Sequence, residues 1–84
     1  MSPDVQRVLR ELTAGSLASV LESVAERLPP EQRQSVMLNS LWDALVGEQL
    51  APGARGWADY LALKAAVVRL VAALPGYRFV EADS

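Results

Sequence analysis

Apolar residues recur with a helical period from the start of the chain. Val5, Val8, Leu9 and Leu12 fall at i, i+3, i+4 and i+7, one stripe of a helix. Ser2-Pro3-Asp4 supplies the start signal in front of them: a hydroxyl N-cap, a proline where a missing N–H costs nothing, and an acid near the positive end of the dipole. Leu17, Val20, Leu21, Val24 and Leu28 form a second stripe, centred roughly 120° around from the first. One straight helix cannot bury both. A break or bend is therefore expected near Gly15, with the glycine in a left-handed cap and Ser16 capping the helix that follows.

Pro29-Pro30 ends the second helix, because a residue before proline is pushed out of the helical region, and Pro30-Glu31 can open a third. That third helix is expected over about 30–50, with Met37, Leu38, Leu41, Trp42, Leu45 and Val46 on its apolar arc. Gly47 weakens its last turn and offers an earlier end. Ala51 to Gly56 reads as a loop. From Trp57 to Leu74 only Asp59, Lys64 and Arg69 are charged, about 140° apart from one another, so the fourth helix is apolar nearly all round. Pro75-Gly76 stops it. Tyr77 to Glu81 is then a β-like run too short to be a sheet by itself, followed by the polar tail Ala82-Asp83-Ser84. The expected architecture is all-α: one domain, a compact bundle of three to four helices (about 3–14, 16–28, 30–50 and 57–74) with a short extended C-terminal tail over 75–84.

Composition supports this reading. Of 84 residues 43 are apolar, dominated by 13 Leu, 13 Ala and 10 Val with no Ile, a set that leans toward helix formers. The fourth segment matches a membrane span in length, but Lys64 and Arg69 near its centre would each cost about 2.5–3.5 kcal/mol there, so no span is expected. Met1-Ser2-Pro3-Asp4 lacks the basic start and apolar run of a signal peptide, and a cytoplasmic protein is expected.

Charge and chemistry narrow the functions. With no His and no Cys there is no imidazole base, thiolate or usual zinc ligand, so no metal or cofactor is expected. Asp43 and Glu48, five positions apart on one helix, point about 140° away from each other. Lys64 is an amine within an apolar segment, the setting of a Schiff-base lysine, but its long stem can carry the charge to solvent. Gly53-Ala54-Arg55-Gly56 ahead of a helix could grip an anion, yet it lacks the Gly-Lys-Ser/Thr of a phosphate loop and reads as an inter-helix turn. No enzymatic activity is expected.

Gly15-Ser16-Leu17 followed by the amphipathic Ala18 to Leu28 resembles, over about a dozen residues, the start of the second helix of acyl and peptidyl carrier proteins. The resemblance implies a phosphopantetheine-bearing Ser16. Ala14-Gly15 stands where that family has an acidic or His residue, and only 15 residues precede Ser16, short of the family's long first helix. A DNA-associated regulator is a second alternative: Arg7 and Arg10 could flank a helix-turn-helix, although Asp4 and Glu11 lie beside them and the net charge is −2.

Apolar surface is what remains. A chain this small buries only about 60% of its unfolded surface, so a bundle of this size cannot cover the whole of helix four. The sequence therefore predicts a non-enzymatic protein-interaction module, an adaptor, inhibitor or regulatory subunit. Its partner is expected to be another protein or a second copy of itself in a homodimer, with no membrane, nucleic acid or small-molecule substrate. Trp42, Trp57, Leu61, Val68, Tyr77 and Phe79 are the expected contacts, with Arg69 and Arg78 as rim charges.

Overall fold

The computed structural model describes residues 2–47, 49 and 56–80. Four α-helices make up most of it: α1 (Pro3–Glu11), α2 (Ala14–Ala25), α3 (Leu38–Val46) and α4 (Trp57–Val71). A 3-10 turn (Pro30–Gln32) and a two-residue strand β1 (Ser35–Val36) precede α3, and a second short strand β2 (Arg78–Phe79) follows α4. The architecture is a small all-α bundle with a minimal strand pair.

α1 starts as its sequence dictates. Ser2 is the N-cap, its Oγ accepting from the Val5 N–H at 3.3 Å, and Pro3 opens the first turn. The expected break is present but lies upstream of Gly15. Leu12 and Thr13 are both extended, and Thr13 and Ser16 form a reciprocal capping box: the Thr13 Oγ1 accepts from the Ser16 N–H (3.1 Å) and the Ser16 Oγ from the Thr13 N–H (2.9 Å). Gly15 is thus inside the first turn of α2 with ordinary helical backbone, and the left-handed cap expected of it does not form. Two satisfied donors stabilise this start more than a glycine turn would. The offset lets each helix bury its own stripe, Val5 and Val8 from α1 and Leu17 and Leu21 from α2.

The expected third helix is divided. Its first part is the 3-10 turn and β1, and α3 begins only at Leu38. Ser35 to Leu38 alternates between half-buried and buried, the period of a strand. β1 pairs in parallel with β2, Ser35 opposite Arg78 and Val36 opposite Phe79. The Arg78 N–H donates to the Gln34 carbonyl (3.0 Å) and the Val80 N–H to that of Val36 (2.8 Å). The β-like run after α4 thus finds its partner some forty residues upstream, and α3 and α4 supply the crossover that a parallel pair requires. α3 stops at Gly47, which takes a left-handed φ of 82°. The expected extension to Leu50 is therefore cut short at Gly47, while Glu48, Leu50, the loop from Ala51 to Arg55 and the tail from Glu81 lie outside the described residues.

The core is apolar throughout. Trp42, Leu17, Leu38, Leu41, Leu63, Val5, Val36 and Val67 are its largest fully buried side chains, and among the described residues no polar or charged residue is buried with them.

Candidate interaction surface

α4 is apolar on two faces, and only one of them meets the core. Leu63, Ala66, Val67 and Val71 are buried, with Tyr60 and Leu70 packed beside them. On the far side Trp57 is 72% exposed, Leu61 43% and Val68 40%, the three large hydrophobic side chains most open to solvent among the described residues. Ala65 and Ala72 are exposed between and beyond them. At about 100° per residue Trp57, Leu61, Ala65, Val68 and Ala72 fall within an arc of about 80°, a line about 22 Å long with no charge in it. Single exposed hydrophobes are ordinary, but a continuous row of them marks a contact surface.

One end of the row is held in place. The Trp57 indole stacks on the Tyr60 ring, with centroids 5.9 Å apart and planes 12° from parallel. Tyr60 is itself half-buried and packed on the core, so it acts as a platform for the indole. Such a pair contributes about 0.5–1.5 kcal/mol and reduces the side-chain entropy that Trp57 would lose on binding.

The other expected contact residues divide. Arg69 is exposed at one border of the row. Tyr77 and Phe79 are half-buried and pack against the core, while Arg78 between them is exposed, as alternation along β2 requires. Trp42 does not reach the surface: it is 2% exposed, on the side of α3 that also carries Leu38 and Leu41, and its ring fills the centre of the bundle. It is a core residue, and its burial takes it out of the expected contact set.

The pattern of apolar positions did not reveal a shallow groove where α2 meets α3. Its floor includes Leu12, Val20, Val24, Ala44 and Leu45. Val20 and Val24, both on the second stripe, are only half-buried there, and the sequence carried no signal that the stripe would be left partly uncovered.

No family model matches the chain, nor does any curated protein or solved structure. The surface must be read from its own chemistry. Among the described residues no group of three or more His, Cys, Asp or Glu side chains could hold a metal ion, and no helix is long and apolar enough to cross a membrane. The Ser16 hydroxyl is engaged in the capping box, donating to the Thr13 carbonyl at 3.1 Å. Arg7 lies 4.0 Å from both Asp4 and Glu11, so one cation of the Arg7–Arg10 pair has an acid on either side.

Proposed function

We propose that the protein is a non-enzymatic interaction module that docks another protein on the outer face of α4. The observation that carries this reading is the uncharged row Trp57, Leu61, Ala65, Val68 and Ala72, exposed on a helix whose opposite face is already committed to the core. A partner helix laid along it would bury Trp57 as an anchor, with Leu61 and Val68 as the side chains next along the row. Such a module acts by occupancy, as an adaptor, inhibitor or regulatory subunit does, and needs no imidazole or thiolate, neither of which the composition supplies.

A photo-reactive amino acid at position 61, compared with one at Ser19 on α2, tests the reading in cells that produce the protein. Support requires one protein species cross-linked from position 61 alone, whose purified form then loses affinity at least about tenfold when Leu61 becomes Glu. Equal cross-linking from both positions, or an affinity indifferent to Leu61→Glu, would overturn it.

A further inference from the structure

We propose that the partner docked on α4 is a second copy of this chain, the two α4 helices lying antiparallel with Ala65 of one opposite Val68 of the other. This rests on the docking reading above and names the occupant. The exposed positions of α4 include Ala58, Leu61, Ala65, Val68 and Ala72, with Pro75 exposed just beyond its end. Their spacing alternates between three and four residues, the a and d positions of a coiled-coil heptad. Alanine fills every a position, while Leu61, Val68 and Pro75 fill the d positions. Small and large side chains therefore alternate along the seam.

That alternation is complementary to its own reverse. Helices paired in opposite directions set a against d, so a two-fold axis between Ala66 and Val67 brings Ala65 onto Val68, Ala72 onto Leu61 and Ala58 onto Pro75 of the second copy. Each layer then holds one small and one large side chain, the condition for close interdigitation. A parallel two-fold pair sets alanine on alanine and leaves gaps between its Leu61 and Val68 layers. In the antiparallel register Trp57 stands level with Gly76 of the second copy, which has no side chain to oppose the indole. Arg69 flanks the other side of the seam and stands nearer to Ala62 of the second copy than to its own symmetry mate. Lys64, on the Trp57 side, is already engaged within its own chain.

Area sets the strength of the pair. The exposed side of α4 offers about 500–600 Å² per copy, so the dimer buries about 1,000–1,200 Å², the low end of a specific interface. One contact covers the apolar rows of both molecules, and the pairing is expected to be reversible, with a Kd on the order of 10 µM.

Sedimentation equilibrium over about 1–500 µM chain is expected to show a monomer passing to a dimer, and Leu61→Glu should weaken the pairing at least about tenfold. Disulfide formation reads the geometry, since the chain has no Cys and each introduced thiol is the only one. Mixed Leu61→Cys and Ala72→Cys chains should cross-link under mild oxidation, while Ala72→Cys alone should not, its two thiols lying about 16 Å apart along the seam. Cross-linking of Ala72→Cys alone but not of the mixture indicates a parallel pair and overturns the proposal. So does a dimer that neither Leu61→Glu nor Val68→Glu weakens, because its contact lies elsewhere. A chain still monomeric at about 500 µM overturns the second copy. The docking surface then stands if position 61 cross-links a different protein, and falls with the proposal if it cross-links none.

Discussion

The Asp59 carboxylate, in the first turn of α4, accepts a hydrogen bond from the Ser2 backbone N–H at 3.0 Å and so ties the start of α1 to the start of α4 across 57 positions of sequence. It also places an acid at the positive end of the α4 dipole. Asp59→Ala removes both effects and should cost about 1–2 kcal/mol in urea unfolding, with Asp59→Asn costing less because an acceptor remains. An Asp59→Ala midpoint equal to wild type would show that the tie contributes nothing.

Three glycines should respond to alanine with different signs. Gly47 and Gly76 have φ of 82° and 85° and no atom within 4 Å of an added Cβ, so the substitution meets backbone strain alone. Each replacement should cost about 1–2 kcal/mol. Gly15 sits in helical backbone, with only the Thr13 Oγ1 near an added Cβ at 3.9 Å, and Gly15→Ala should stabilise by about 0.5 kcal/mol. Thermal melts of the three variants check the pattern; a destabilised Gly15→Ala would place the helix break where the sequence alone suggested it.

The capping box makes a prediction about Ser16. Thr13→Ala and Ser16→Ala should each lower stability by about 1 kcal/mol, since each side chain satisfies an otherwise orphan N–H at the start of α2. Intact mass after co-expression with a phosphopantetheinyl transferase should be unchanged. A gain of one phosphopantetheine would instead establish the carrier reading.

Leu61 and Leu63 are two residues apart and differ in every respect that matters. Leu63 is fully buried and Leu61 is 43% exposed. Leu63→Ala should cost about 2–5 kcal/mol, while Leu61→Ala should stay within about 0.5 kcal/mol of wild type. Equal losses in chemical denaturation would mean that the outer row of α4 is covered within the folded chain.

Much of this was legible in the residues themselves. Ser2-Pro3-Asp4 starts α1, Gly47 ends α3, and the outward position of Trp57, Leu61 and Val68 follows from helical spacing once the opposite face of α4 is buried. The parallel pair was not legible, because Ser35-Val36 has no strand identity apart from Arg78-Phe79, and that pairing is decided by how α3 and α4 fold back. The start of α2 was misplaced because Gly15 is the stronger local punctuation, while the capping box depends on a reciprocal pair of side chains. Trp42 is expected at the surface because tryptophan is a common interface anchor. Its place beside Leu38 and Leu41 on the α3 arc was the better guide, since an arc that packs leaves its largest member innermost.

The most direct test of the central claim locates the binding face residue by residue. In an amide chemical-shift titration with the purified protein that cross-links from position 61, the largest changes should map to Trp57, Leu61, Ala65, Val68 and Ala72, while Ser19, Ser23 and Ala44, which line the α2–α3 groove, stay still. Changes concentrated in that groove, or none on α4 at saturating partner, would contradict the claim.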